Sequence, residues 1–150
     1  MRLRGWGTRD PWLLALLCAA PLDGQRWDAV CMPLFTIGEA AAEIRRLLPA
    51  LDEIVALRAD AAELASAARI AEATPLGGLP ELKAAQARID ELLTHVQQSG
   101  AELKGLAPLL LDFPSELDGS DVALCWLEGD RELGWYHRID LGFAGRRPLP

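Results

Sequence analysis

Several residue types that build common functional sites are scarce in this 150-residue sequence. It has three cysteines, two histidines and no C-x-x-C motif, so neither a disulfide framework nor a zinc ribbon is indicated. No Lys/Arg run exceeds a pair, and the formal net charge of −7 disfavours a nucleic-acid binder. No apolar run approaches the roughly 20 residues that a membrane-spanning helix needs. We therefore expect a cytoplasmic chain, in a reducing compartment, that binds neither nucleic acid nor membrane.

Residues 1–31 differ in composition from the rest and contain two of the three cysteines. Two arginines followed by the apolar run from Trp12 to Ala20 have the outline of a secretory signal. Pro21, however, follows the small residues where cleavage would fall. A strongly patterned sequence begins directly after Met32, so we favour a mis-annotated N-terminal extension and leave residues 1–31 out of the fold.

Two amphipathic helices are predicted, over residues 36–73 and 80–99. Thr36 and Glu39 have the spacing of a capping box at the start of the first helix. Apolar residues then recur at three- and four-residue intervals: Ile44, Leu47, Leu51 and Ile54, and later Leu82, Ala85, Ile89, Leu92 and Val96. The first stripe keeps its phase across Pro49, which favours one kinked helix over two abutting ones. The short Gly/Pro-rich loop between the two segments predicts an antiparallel hairpin.

The helical period disappears after Gly100, and residues 103–150 are predicted to be rich in β-structure. The predicted strands are Leu109–Phe113, stopped by Pro114, then Val122–Leu127 and Leu133–Ile139, with a hairpin loop through Gly129-Asp130. The fold class is therefore α+β. Residues 32–150 are expected to form a single domain, in which a long helical hairpin precedes a small antiparallel sheet.

The register of the last hairpin decides which side chains meet on one face. With a three-residue loop centred on Asp130, Cys125 lies opposite Trp135. Ala123 then lies opposite His137, on the same face as the cysteine. A two-residue loop would instead turn the cysteine away from His137. The sequence leaves both registers open.

Six motifs together resemble one known family. They are Phe35-Thr-Ile-Gly-Glu-Ala40, Leu47-Leu-Pro49, Leu111-Asp-Phe-Pro114, Cys125-Trp126, His137 and Gly142-Phe-Ala-Gly-Arg146. In this order, from about Met32 to Leu149, the chain resembles an uncharacterised bacterial family catalogued as domain of unknown function 2203. Two departures are Tyr136, where the family more often has tryptophan, and the segment 128–130, where it favours a Gly-Glu pair. The resemblance supports Met32 as the start and implies no established activity.

Three functions are compatible with these residues. We favour a structural or interaction module, in which the hairpin forms a coiled coil that makes a homo-oligomer or binds a protein partner. No cofactor is identified, and the sequence leans against an enzyme.

The second function is binding of a small ligand or anion. The candidate ligand-binding residues are Asp112, Trp126, Trp135, His137 and Arg146. Arg146, in a Gly-rich segment, offers a guanidinium group to an anion, and the tryptophans offer an apolar wall. The simpler interpretation is that Arg146 pairs with Asp112 or Asp140 within the protein.

The third function is a metal site or enzyme at Cys125 and His137, to which Asp112 or Asp140 would add an oxygen ligand. Zinc usually needs three or four protein ligands, and no further cysteine or histidine lies nearby in the patterned sequence. A lone strand cysteine is more often simply buried.

Overall fold

The computed structural model describes residues 34–150. The two long helices are α1 (Ile37–Ile70) and α2 (Leu79–Gln98). The strands are β1 (Glu102–Leu106), β2 (Leu109–Leu117), β3 (Ser120–Leu127), β4 (Trp135–Arg138) and β5 (Arg147–Pro148), with a 3₁₀ turn at Phe143–Gly145. In residues 34–150 neither long helix is apolar enough to span a membrane. The two interpretations of residues 1–31 concern a segment outside the described residues.

The start of α1 follows the predicted capping box. The backbone N–H of Glu39 donates to the Thr36 hydroxyl at 3.2 Å, and the Thr36 N–H donates to the Glu39 carboxylate at 2.9 Å. The helix continues through Pro49 as one element. It ends at Ile70 rather than residue 73, because Ala71 takes the left-handed conformation (φ 55°) that closes many helices.

The two helices run antiparallel, as the short loop predicts. Arg88 of α2 donates to Glu53 of α1 at 2.7 Å. Farther along, Arg46 of α1 lies 3.3 Å from the His95 ring on α2. The residue numbers of the partners rise on one helix and fall on the other, which is the pattern of an antiparallel pair.

The sheet is an antiparallel meander in the order β1-β2-β3-β4-β5. One face packs against the helical hairpin, because alternate residues of the central strands are apolar and point to the same side. The buried residues that fill this layer include Leu109, Leu111, Phe113, Val122, Leu124 and Trp126 of the sheet, with Ile44, Leu47, Leu51, Ile54 and Val96 of the helices. The predicted α+β class, a helical hairpin followed by a small sheet, is confirmed.

β2 continues past Pro114, so the prediction that this proline stops the strand is wrong. β1 pairs with β2 only as far as Asp112. Pro114 lies opposite Ala123 of β3, and its carbonyl oxygen accepts a hydrogen bond from the Phe35 N–H at 2.8 Å. The nitrogen and carbonyl of one strand residue point to the same side, so the missing N–H of Pro114 faces the side on which β1 has ended. At this position β2 is in effect an edge strand, where proline is tolerated.

Candidate functional site

The strand register brings Asp112, Cys125 and His137 to one region of the sheet. Asp112 pairs with Cys125, Cys125 pairs with Trp135, and Ala123 pairs with His137. This is the first of the two registers that the sequence leaves open. By alternation, the three side chains lie on the sheet face that points away from the helices.

The three side chains form a buried cluster, although their face of the sheet does not contact the helical core. Asp112, Cys125 and His137 are 4%, 0% and 5% exposed. Each side chain offers one atom that could bind a metal ion, and these three atoms all lie within 4.8 Å of one another. Two of these atoms form a hydrogen bond with each other: His137 Nε2 lies 3.2 Å from Asp112 Oδ2.

The orientation of His137 is fixed by its second ring nitrogen. Nδ1 lies 3.1 Å from the backbone carbonyl oxygen of Arg138. A carbonyl oxygen only accepts hydrogen bonds, so Nδ1 carries a proton. In the neutral imidazole, Nε2 then has a lone pair that faces Asp112 Oδ2. Two acceptors at this distance repel each other unless a proton or a metal ion lies between or beside them.

Burial perturbs both acidic groups of the cluster. It raises the pKa of Asp112, and the nearby His137 counteracts only part of this rise. Burial, reinforced by the charge of Asp112, raises the pKa of the Cys125 thiol to about 12, while Arg146 acts in the opposite direction. The other carboxylate oxygen, Asp112 Oδ1, is buried and has no hydrogen-bond partner within residues 34–150. Within these residues, Asp112 Oδ1 is therefore a buried acceptor that is free to bind a proton donor or a metal ion.

Arg146 is held by the protein, but neither predicted partner is correct. Its guanidinium group forms an ion pair with Asp130. It also lies 4.7 Å from the Trp135 ring centroid and 5.5 Å from that of Phe143. Asp140 instead accepts from Arg138 at 2.7 Å. The partner differs because the loop after β3 folds back and brings Asp130 toward the C-terminal segment.

The two candidate tryptophans do not form one apolar wall. Trp126 lies on the helix-facing side of the sheet, and its indole N–H donates to the backbone oxygen of Asp130 at 2.8 Å. Trp135 lies on the opposite side, with the buried cluster, and is 36% exposed. Asp112, His137, Trp135 and Arg146 are thus brought to one face, and Trp126 is not.

A cavity of about 370 Å³ opens beside the buried cluster. Asp112 and His137 line it, whereas Cys125 does not. The rest of its wall is formed by Glu102, Lys104, Leu110, Pro114, Ala123, Ile139, Gly142 and Phe143. This volume lies within the range of small-molecule sites, about 300–1,000 Å³.

The motif order noted above is matched by a family model described as "Uncharacterized conserved protein (DUF2203)", which covers residues 33–149. The chain belongs to this family. No curated protein and no solved structure matches it. The DUF2203 region contains the whole buried cluster and the cavity. Because the family is uncharacterised, the function has to be argued from the chemistry of this site.

Two features of the DUF2203 site are absent from the sequence predictions. The Arg138 carbonyl that orients His137 is a backbone group, which side-chain patterns do not report. Glu102 and Lys104, at the edge of the cavity, lie on β1, a strand that was not predicted. Lys104 and Glu102 form an ion pair at 2.6 Å, so their charges largely cancel.

Proposed function

We propose that this protein binds one divalent transition-metal ion through Asp112, Cys125 and His137. The observation that carries the proposal is the convergence of a carboxylate, a thiol and an imidazole from three adjacent strands, with ligand atoms within 4.8 Å of one another. Around a tetrahedral zinc ion, neighbouring ligand atoms lie about 3.3–3.6 Å apart. The 3.2 Å between Nε2 and Oδ2 is already close to that value.

The orientation of His137 supports this proposal. Metal-ligating histidines usually donate their second ring N–H to a carboxylate or a backbone carbonyl, which fixes the tautomer and directs the other nitrogen at the metal. Here Nδ1 bonds to the Arg138 carbonyl and Nε2 points at Asp112. A metal ion beside Nε2 and Oδ2 would replace the proton that these two atoms share at 3.2 Å with two coordination bonds.

The two acidic groups of the cluster, the Asp112 carboxyl and the Cys125 thiol, also support the proposed metal site. Asp112 Oδ1 is a buried carboxylate oxygen without a hydrogen-bond partner among residues 34–150, so only neighbouring side chains such as His137 and Cys125 offset the hydration that the carboxylate loses. The Cys125 thiol, with its pKa raised to about 12, keeps its proton when no metal is bound. A transition-metal ion displaces the thiol proton and compensates the charge of the carboxylate.

The ligand set defines the class of metal. Thiolate and imidazole ligands favour zinc and related ions such as cobalt(II) and iron(II), whereas magnesium and calcium prefer oxygen ligands only. Three protein ligands leave one tetrahedral position open, as in zinc sites that bind water or a substrate.

Cobalt(II) titration of the metal-stripped full chain tests the proposal. We expect one cobalt per chain, tetrahedral d–d bands and a thiolate-to-cobalt charge-transfer band. Cys125→Ser should remove the charge-transfer band, and His137→Ala, which removes a ligand itself, should weaken binding by more than the about 10- to 100-fold that loss of an outer-shell partner costs. The double variant Cys18→Ser/Cys31→Ser is the matched control and should keep the band. Absence of stoichiometric binding, or a band that survives Cys125→Ser, would refute the proposal.

We also propose that the protein works in the cytoplasm without binding nucleic acid, and that the hairpin mediates self-association. The net charge of −7 supports the absence of nucleic-acid binding, and the buried free thiol of Cys125 fits a reducing compartment. Ile70 and Leu79, where the hairpin turns, are 61% and 59% exposed. Native mass spectrometry of the wild type and of Ile70→Glu tests the association. A wild-type monomer at all concentrations would exclude it.

A further inference from the structure

The cavity next to the cluster has a polar inner wall and a largely apolar remainder. Asp112 and His137, two of the three proposed metal ligands, contribute to its lining. Cys125 does not line it and is fully buried, so its thiol lies deeper in the protein than these two side chains. Asp112 and His137 therefore lie between the thiol and the cavity. The open coordination position of a bound metal would face this space.

Apolar side chains dominate the rest of the cavity and continue to its rim. The apolar lining residues are Leu110, Pro114, Ala123, Ile139 and Phe143. At the rim, Ile139 and Phe143 remain 59% and 42% exposed. Aliphatic and aromatic groups this exposed, at the mouth of a cavity with polar groups at its base, favour a ligand with an apolar body.

The charged residues of the lining do not select a strongly charged ligand. Glu102 and Lys104 pair with each other at 2.6 Å. Arg146, a further cation on this face, does not line the cavity and is held by Asp130 and the two aromatic rings, although its buried Nε has no hydrogen-bond partner within residues 34–150. A divalent ion bound by one carboxylate and one thiolate has no net charge. The cavity therefore offers a ligand one coordination position on the metal and apolar contacts for the rest of the molecule.

We propose that the cavity binds a small organic molecule whose oxygen or sulfur donor completes the coordination of the metal, and whose apolar body lies between Ile139 and Phe143. This inference rests on the proposed metal site. It assigns the fourth coordination position to a ligand from solution rather than to a side chain of the protein.

Titration of the cobalt(II)-loaded full chain with 3-phenylpropanoate and with acetate tests the proposal. The two probes share a carboxylate head group and differ in the apolar body, and the d–d bands report a change of the fourth ligand. We expect 3-phenylpropanoate to shift the bands and to bind at least about tenfold more tightly than acetate, because the phenyl group becomes buried.

Ile139→Glu should abolish most of that preference, since it puts a charge at the apolar rim without touching a proposed metal ligand. Leu141→Glu is the matched control. Leu141 is also exposed (48%) and two residues away, but it does not line the cavity, so the preference should persist. Phe143→Ala provides a second rim variant, with reduced apolar contact and no new charge.

The outcomes separate this inference from the metal site. If cobalt does not bind, the proposed function itself fails. If cobalt binds but both carboxylates bind equally, or neither shifts the d–d bands, the metal site stands and the ligand proposal is overturned. Altered d–d bands in Glu102→Gln without any probe would place a protein carboxylate at the fourth position and would also overturn it.

Discussion

Replacing Asp112 with asparagine distinguishes a metal site from a purely structural ion pair. The side chains of Asp112 and His137 are 6% and 7% exposed, so solvent screens their interaction only weakly. If a protonated histidine and an ionised aspartate stabilised the fold, removing the carboxylate would leave a buried charge without a partner. That loss costs about 3–5 kcal/mol of unfolding free energy.

We expect a far smaller effect in the metal-free protein. Burial raises the pKa of Asp112, so its ionised form destabilises the fold at pH values above its ordinary range. Asparagine has the same shape without the charge, and its amide N–H can donate to the lone pair of His137 Nε2. The unfolding free energy of Asp112→Asn at neutral pH should therefore rise, or fall by less than about 1 kcal/mol. The difference from wild type should shrink in acid, where the wild-type carboxyl group is also neutral.

Urea unfolding of metal-stripped and zinc-loaded protein provides the measurement. At a free zinc concentration of about 100 times Kd, wild-type stability should increase by about 2.7 kcal/mol. Asp112→Asn should show no comparable gain, while the exposed control Asp140→Asn should behave as wild type. A loss of 3 kcal/mol or more in metal-stripped Asp112→Asn, together with no zinc effect on wild type, would refute the reasoning.

Three further predictions follow from other contacts. Ala71→Gly should raise the unfolding free energy by about 0.5–1 kcal/mol in urea denaturation, because glycine adopts the left-handed conformation at the end of α1 without a Cβ clash; a decrease would contradict this. Glu128 accepts two hydrogen bonds from Arg58, and these lower the pKa of the Glu128 carboxyl group. The ionised carboxylate therefore stabilises the fold at pH values above its ordinary pKa, and this stabilisation is lost as the pH falls through the lowered pKa. Glu128→Gln should cost about 1–2 kcal/mol at neutral pH and less in acid, and a pH-independent cost would argue against this role. Cys125 should resist iodoacetamide in the folded protein and react after denaturation, as peptide mapping would detect, and rapid labelling in the native state would show that the thiol is not buried.

The helices could be predicted from the sequence because their signals are local. The capping box at Thr36 and the apolar stripe across Pro49 depend only on residues a few positions apart. The end of α1 could not be predicted, since glycine is the residue that usually adopts the left-handed conformation at a helix end and position 71 is an alanine. β1 was missed because Glu102–Leu106 has neither clear alternation nor β-branched residues.

The candidate site could be predicted only in part. Cys125, His137 and Asp112 were recognisable as ligand types, but their meeting depends on the register of two strand pairs, which the sequence left open. The extension of β2 through Pro114 depends on where β1 ends, a tertiary circumstance. The pairing of Arg146 with Asp130 likewise depends on how a loop folds back, which local patterns do not report.

The meander order of the sheet has a consequence for how the protein folds. Every strand pairs with its neighbour in the chain, so Asp112, Cys125 and His137 meet through two successive hairpins and need no residue of the helices. Contacts this close in sequence form early, because their loop-closure entropy is small. The proposed metal ion would therefore link three successive strands without any residue of the helices. In that case metal supply would affect the rate at which the sheet forms as well as the final stability.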